Sequence, residues 1–169
     1  MVSGLQSSIQ AQGAEANGPH VLQVLPALES GGVERGTVQT AAALTAAGWK
    51  ATVASSGGLM IHDLSRAKAR HVELPLAVKQ PFRMLRNGDA LADLINRTGI
   101  DLVHARSRAP AWSALSAARR TGTPFVTTFH NAYGHNWLKH HYNAVMAKGD
   151  RVIAISEFVA DHVRETYGV

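Results

Sequence analysis

Six short apolar segments recur along the chain, and a stretch with helical character separates each from the next. The segments are His20–Pro26, Lys50–Ser55, Arg70–Leu74, Ile100–His104, Pro124–Phe129 and Arg151–Ile155. Strands that alternate with helices form right-handed β-α-β units and therefore a parallel sheet. These strands are apolar on both faces, which is typical of a sheet covered by helices on both sides. The sequence therefore predicts an α/β fold with at least six parallel strands.

The stretches between the strands differ in character. Residues Val78–Arg86 predict an irregular basic loop, whereas Asn87–Thr98 predict a helix that ends at Gly99. Residues Trp137–Ala147 predict one amphipathic helix. The first nineteen residues are rich in Gln, Ser, Ala and Gly and lack the early positive charge and apolar core of a secretory signal. We therefore expect a flexible tail over residues 1–19 and one folded domain over residues 20–169.

Composition limits the classes of partner and site. The chain has no cysteine, which excludes disulfides and thiolate metal sites. No apolar run reaches the length of a membrane span, and the protein is expected to be cytoplasmic. A net charge of +5 favours anionic partners such as nucleotide phosphates, phosphorylated glycans or lipid head groups. Nucleic acid is not an expected partner, because the chain carries no recognition motif for it.

Polar clusters follow four of the predicted strands. They are Ser30–Arg35, His104–Arg108, His130–His135 and Ser156-Glu157. Ligands of open parallel sheets bind beyond the carboxyl ends of the strands. We therefore expect the first and third clusters to meet at one cleft.

The first cluster contains adjacent glycines at the start of a helix. Gly31 and Gly32 would let the backbone pass close to a ligand, and the helix start offers free N–H groups to a phosphate or a sugar hydroxyl. A plain tight turn is the alternative interpretation. Together with Gly36, these glycines do not match the G-x-G-x-x-G spacing of dinucleotide-binding sites.

The second and third clusters carry cations and imidazoles. Arg106 and Arg108 could clamp a phosphate or a carboxylate, although one or both could simply face solvent. His130 could orient or polarise a sugar hydroxyl, and Asn131 adds an amide donor and acceptor. A buried histidine satisfied by backbone is the alternative for His130.

The remaining histidines do not indicate a metal site. No carboxylate or cysteine lies within ligand spacing of His135, His140 and His141, and the last two point to different faces of a helix. The segment 137–143 mixes aromatic and basic residues. It could lie on a membrane surface or pack on the sheet as an ordinary amphipathic helix.

Three runs in this order resemble a known family. They are GGVERGTVQTAAALTAAGWKATVASSGG, DLVHARSRAPAWSALSAARRTGTPFVTTFHNAYG and DRVIAISEFVADHV. Residues 20–169 resemble the N-terminal domain of family 4 glycosyltransferases, in particular those that build bacterial lipopolysaccharide and related surface glycans. The resemblance implies one Rossmann-like domain of a GT-B enzyme, in which two such domains face each other across a cleft.

The resemblance also implies a function. The N-terminal domain would receive a glycan or glycolipid acceptor, and a C-terminal domain would grip the nucleotide-sugar donor. Transfer would retain the anomeric configuration and need no metal or other cofactor. The expected location is the cytoplasm, with possible peripheral contact at the inner membrane. A non-catalytic glycan- or nucleotide-binding module with the same fold is the alternative.

Site residues follow by motif match. His130 would be catalytic, at the transferred sugar. A set at the cleft would contact donor phosphates or the acceptor: Gly31, Gly32, Glu34, Ser156 and Glu157. A second set would contact the acceptor: His104, Arg106, Arg108 and Asn131.

The donor half is expected to be absent from this chain. Members of the family continue into the donor domain at the point where this sequence stops, Val169. We therefore expect either a fragment of a longer enzyme or a stand-alone half, and we expect it to be inactive alone. Glu157 and Glu165 have the spacing of the family's donor-binding glutamate pair. That pair belongs to the C-terminal domain in a different sequence setting, so we interpret the match as chance.

Overall fold

The predicted parallel sheet is present. A computed structural model of the protein describes residues 18–133 and 137–169; most of the expected tail and His135 lie outside the described residues. The strands are β1 (His20–Val24), β2 (Lys50–Ser55), β3 (Arg70–Glu73), β4 (Leu102–Ala105), β5 (Phe125–Phe129) and β6 (Arg151–Ala154). They lie in the order β3-β2-β1-β4-β5-β6, and every neighbouring pair is parallel. The α/β prediction is confirmed.

Helices cover both faces of this sheet. They are α1 (Gly32–Ala46), α2 (Ile61–Arg66), α3 (Pro81–Thr98), α4 (Arg108–Thr121), α5 (Trp137–Asn143) and α6 (Glu157–Tyr167). Successive strand residues serve opposite faces: Ala54 of β2 belongs to the core beneath α3, α4 and α6, whereas Val53 belongs to the core beneath α1 and α2. A sheet buried on both sides requires strands that are apolar at successive positions.

The strand order reverses direction at the centre of the sheet. After β1 the chain builds outwards through β2 and β3, and it then returns to place β4 on the other side of β1. The loops that leave the carboxyl ends of β1 and β4 therefore diverge. Such a divergence opens the crevice in which ligands of this class of sheet bind.

The loop predicted over Val78–Arg86 is wrong, because α3 already begins at Pro81. Proline suits the first position of a helix, and the Met84 N–H donates to the Gln80 carbonyl at 3.0 Å. Phe82 and Leu85 are exposed in this first part of the helix, and the buried stripe begins only at Asn87. The apolar residues of this part are mostly exposed and lie among the basic Arg83 and Arg86, which favoured the prediction of a basic loop.

The single helix predicted over Trp137–Ala147 is also shorter than expected. The α-helix ends at Asn143, and a 3-10 helix follows over Ala144–Lys148. Val145 and Met146 are fully buried there, and the Thr127 hydroxyl of β5 donates to the Met146 carbonyl. Anchoring to the sheet thus accompanies the change in helical winding.

The turn after β2 holds the loop that leads from β1 to α1. The Leu28 N–H donates to the Gly57 carbonyl at 2.7 Å, and the Met60 N–H donates to the Leu28 carbonyl at 2.9 Å. Gly58 has a φ of +138°, and a Cβ there would collide with the carbonyl group of Leu28. Only glycine allows this close approach of two backbones.

Replacing Gly58 should therefore cost more stability than replacing a glycine that needs only its left-handed conformation. Gly99 has a φ of +62°, and a Cβ there would meet no atom within 4 Å. We expect Gly99→Ala to cost about 1–2 kcal/mol and Gly58→Ala to cost roughly twice that or more, because a steric collision adds to the strain. Urea denaturation followed by circular dichroism measures both. Equal costs would contradict the close approach.

Candidate functional site

A cavity of about 500 Å³ lies at the carboxyl edge of the sheet, and we call it the central cavity. It is lined by Gly32, Val33, Gly36, Arg106, His130, Asn131 and Ile155. These residues follow β1, β4, β5 and β6. The fold thus brings the glycine-containing loop and the start of the His130 loop to one cleft, as the strand-end positions predicted.

The start of α1 forms one wall of the central cavity. Gly31 is the N-cap residue and supplies no side-chain cap, so the first N–H groups of the helix have no side-chain partner at that position. A Cβ at Gly32 would meet no atom within 4 Å, whereas one at Gly31 would collide with the carboxylate of Glu34. Packing therefore does not require glycine at position 32, and the free space beside it is available to a ligand.

Arg106 is a buried cation in another wall. Arg106 is 8% exposed, and its Nη1 donates to Gln23 Oε1 and to Thr40 Oγ1, both at 3.4 Å. Within residues 18–133 and 137–169 no carboxylate forms a salt bridge with it, and its buried Nε has no hydrogen-bond partner. Burial lowers the pKa of the guanidinium. A buried charge without a counter-charge is costly, so this arrangement favours an anionic or strongly polar ligand.

Gly36 allows Arg106 to adopt this position. A Cβ at Gly36 would lie 2.8 Å from Arg106 Nη2, closer than a real Cβ contact allows. The absence of a side chain at Gly36 lets the guanidinium lie against helix α1. The polar partners Gln23 and Thr40 were not predicted from the sequence. The available signal was a glutamine in the middle of an otherwise apolar strand.

His130 lines the central cavity, and one of its ring nitrogens is unused. Its Nε2 is buried and has no hydrogen-bond partner. Burial lowers the pKa of His130, the charge of Arg106 lowers it further, and Glu34 acts in the opposite direction. The imidazole is therefore neutral near pH 7 and can donate to or accept from a sugar hydroxyl, according to its tautomer. Asn131 lines the same cavity from an exposed position.

His104 lies beneath the cavity and is not part of its lining. It is 7% exposed, and its Nε2 lies 2.7 Å from Thr128 Oγ1 on the neighbouring strand. Burial lowers the pKa of His104 to about 4, with smaller contributions from Arg106 and His130. Its place beneath Arg106 and His130 is that of a supporting residue. The contact with the acceptor that the motif match implied stays a prediction.

The two arginines do not converge on one ligand position. Arg108 lines a neighbouring cavity, where its Nη1 donates to Asn143 Oδ1 at 3.0 Å and its guanidinium carbon lies 4.4 Å from the centre of the Tyr133 ring. Arg106 lies in extended chain just after β4, whereas Arg108 is the first residue of α4. The start of the helix turns the second side chain away from the first, so they cannot form the shared clamp.

Ser156 and Glu157 lie at the edge of the central cavity. Ile155 lines the cavity, and the two polar residues follow it. Ser156 Oγ accepts a hydrogen bond from the Val159 N–H at 3.3 Å and thereby caps α6. Glu157 is the exposed first residue of that helix. Ser156 thus has a structural task, and the proposed contacts of both residues stay predictions.

Metal and membrane features can be stated for the described part of the chain. There, no group of three or more His, Asp or Glu residues is placed to hold a metal ion. No helix in the described ranges is both long enough and apolar enough to cross a membrane. The predicted metal independence and cytoplasmic location stay predictions.

The depressed pKa of His104 predicts a loss of stability in mild acid. The unfolded chain takes up a proton on this residue near its ordinary pKa of 6.5, whereas the folded protein resists until about 4. Stability is therefore complete above the unfolded pKa and falls as the pH drops between these two values. We expect this residue to account for a loss of about 2 kcal/mol in the free energy of unfolding between pH 7 and pH 5. Urea titrations at each pH give the free energy of unfolding, which should fall less steeply with decreasing pH in His104→Asn than in the wild type. Equal pH dependence in the two proteins would contradict the lowered pKa of His104.

The sequence matches a family model, Glycosyltransferase Family 4, over residues 30–169. A solved structure of a glycosyltransferase from Rickettsia africae ESF-5 is 41% identical, with a TM-score of 0.79. The match covers 90% of this chain but only 41% of that one. No curated protein matches the chain significantly.

Two more distant structures show the fold alone. MurG from Acinetobacter baumannii is 18% identical with a TM-score of 0.63, and the match covers 80% of this chain and 41% of that one. The lipopolysaccharide outer core galactosyltransferase WaaB is 13% identical with a TM-score of 0.63, and the match covers 88% of this chain and 42% of that one. The family model spans most of the sequence, and the Rickettsia glycosyltransferase is 41% identical in sequence over a match that covers 90% of this chain. The chain therefore belongs to glycosyltransferase family 4.

Proposed function

We propose that this chain is the acceptor-side half of a retaining, metal-independent glycosyltransferase. It would move a sugar from a nucleotide-sugar to a glycan or glycolipid acceptor. The observation that carries the proposal is the central cavity, where a buried arginine with no carboxylate partner among the described residues lies near His130, whose Nε2 has no hydrogen-bond partner. The chain spans about two fifths of the Rickettsia enzyme, so the activity of the whole protein is itself a proposal.

Each wall of the central cavity has a chemical task in this scheme. His130 Nε2 hydrogen-bonds a hydroxyl of the reacting sugar and orients it. Arg106 offsets the negative charge of a phosphate as the bond to the leaving group breaks. The α1 start at Gly32 offers backbone N–H groups to a phosphate or hydroxyl that comes close to the chain.

A second domain would complete the cleft. Holding donor and acceptor in a reactive geometry can supply about 7–11 kcal/mol of the barrier. In this proposal, the described walls of the central cavity form the acceptor side of the cleft. We propose that residues 1–169 alone bind a nucleotide-sugar weakly and do not turn over. Resemblance to enzymes of surface-glycan assembly supports a lipopolysaccharide or related glycan as the acceptor.

Removing the His130 imidazole should slow transfer in the complete two-domain enzyme. We expect His130→Ala to lower turnover more than tenfold, equivalent to about 1.4 kcal/mol in the barrier, because the hydroxyl loses its orienting partner. Transfer of radiolabelled sugar, assayed in the presence of EDTA, measures this effect and tests metal independence together. His62→Ala is the matched control, since His62 is exposed on α2. Wild-type turnover by His130→Ala would assign His130 a structural role. Glycan binding without any transfer by the wild type would favour the non-catalytic module.

Gly32 should matter for transfer and not for folding. Gly32→Ala places a methyl group in open space beside the central cavity, at a backbone conformation that alanine accepts. We expect unchanged or slightly higher thermal stability, together with at least a tenfold loss of transfer, because the methyl group blocks close approach of the ligand. Gly122→Ala is the opposite control: its φ of +69° predicts reduced stability with transfer retained. Full transfer by Gly32→Ala would show that no ligand comes close to this position.

A further inference from the structure

His71, on the edge strand β3, is linked by hydrogen bonds to the turn that holds the loop between β1 and α1. Its Nε2 lies 2.9 Å from Ser55 Oγ on β2. Ser55 is completely buried, and its Oγ also accepts a hydrogen bond from the Gly57 N–H at 3.2 Å. One hydroxyl thus joins the edge of the sheet to the turn after β2.

The turn after β2 passes this restraint on to the loop after β1. The Gly57 carbonyl accepts from the Leu28 N–H at 2.7 Å, and the Ser56 N–H donates to the Pro26 carbonyl at 3.0 Å. Leu28 is fully buried, and the same loop then leads to Gly32, which lines the central cavity. A shift of the turn would therefore move the backbone that borders the central cavity.

The directions of these hydrogen bonds follow from the groups that make them. The Gly57 N–H can only donate, so Ser55 Oγ is its acceptor. Among the described residues the other partner of this hydroxyl is His71, so its single hydrogen points to Nε2, which accepts in the neutral imidazole. A protonated ring carries a hydrogen on Nε2 and cannot accept. The link in this form therefore needs a neutral His71.

The surroundings of His71 favour the neutral ring. Burial lowers its pKa, and the carboxylate of Glu73 on the same strand offsets part of this effect. The β2 residue opposite His71 is the uncharged Val53. Helix α2 packs against β3 and contributes the charged or titratable groups His62, Asp63 and Arg66. His62 is exposed, and the other two pair with each other at 3.5 Å. His71 therefore gains a proton only below its ordinary pKa of 6.5.

We propose that His71 is a positioning residue for the central cavity: through Ser55 and the turn after β2, it fixes the loop that presents Gly32 to a ligand. This inference rests on the proposed function, because it assumes that a phosphate or a sugar hydroxyl approaches that loop. His71 does not line the central cavity and acts without touching the ligand. Its task is to hold the backbone donors at the start of α1 in place before the ligand arrives.

Amide signals of the 169-residue protein test the link directly. In nuclear magnetic resonance spectra of the wild type, the Gly57 amide should shift with falling pH at the same midpoint as the His71 ring, because protonation reverses the bond to Ser55. His71→Gln supplies an acceptor that does not titrate and should abolish this shift. Hydrogen exchange of the Leu28 amide should be at least about fivefold faster in Ser55→Ala, since the turn that holds it is loosened. A Gly57 shift that persists in His71→Gln would overturn the proposal.

A second pair of a histidine and a hydroxyl offers a matched control for activity. His20 Nε2 lies 2.8 Å from Thr52 Oγ1 in the half of the sheet away from the central cavity. In the complete two-domain enzyme, His71→Ala should raise the KM for the nucleotide-sugar at least about tenfold and leave kcat nearly unchanged, because the binding backbone is misplaced. His71→Gln should restore the wild-type KM. Thr52→Ala should lower the melting temperature and leave KM unchanged.

A double variant shows whether His71 acts through Ser55. If it does, removing the second partner adds little, and the variant with both His71→Ala and Ser55→Ala should have the KM of either single variant. Two effects that multiply would contradict the proposed path. So would a tenfold rise in KM in Thr52→Ala, because a general loss of stability would then explain the effect of His71→Ala.

The two proposals fail in different ways. A Gly57 signal that does not follow His71, with His130-dependent transfer intact, would refute the positioning role and leave the proposed function standing. A Gly57 signal that follows His71, without any transfer by the complete enzyme, would refute the proposed function and leave the hydrogen-bonded link standing.

Discussion

Pairing of β1 with β2 on one side and with β4 on the other is the constraint on which the rest of the molecule depends. It makes β1 and β4 neighbours although 77 residues separate their nearest ends in the chain, Val24 and Leu102. All strands are parallel, so every polar loop discussed above leaves the sheet at the same edge. The reversal of strand order between β1 and β4 then separates the loops enough to form cavities there. Without it, the glycine-containing loop and Arg106 would have no common cleft.

The buried guanidinium of Arg106 is the most costly group at that cleft. Its two hydrogen bonds, to Gln23 and Thr40, are long, and the described residues offer it no carboxylate. Gly36 makes room for it at the surface of α1. Charges buried in this way lower stability unless a ligand or a second charge compensates them. Maintaining such a group at a binding edge is typical of a site that is organised for an anion before the anion arrives.

Two cavities lie at this edge of the sheet. The central cavity combines one cation with a neutral imidazole and open space beside Gly32, which suits a reacting sugar and its phosphate. The second cavity is lined by the cations Lys79, Arg108 and Lys139, and an apolar groove shares Lys79 and Tyr142 with it. Arg106 and Arg108 belong to different cavities because α4 begins between them.

By itself, the sequence determined the class of fold and the edge at which the site lies. Segments such as HVLQV are apolar at successive positions, and that local property requires a sheet covered on both faces. The resemblance in GGVERG and FVTTFHN also placed Gly32 and His130 in one site. The start of α3 was hidden, because its apolar residues are mostly exposed and lie among basic residues. Only the tertiary structure decided that His104 is buried outside the lining of the central cavity. It also decided that Arg106 and Arg108 line different cavities, and that Gln23 and Thr40 accept hydrogen bonds from Arg106. Those outcomes depend on contacts between residues that are 24 to 83 positions apart in the chain, and no local pattern records such contacts.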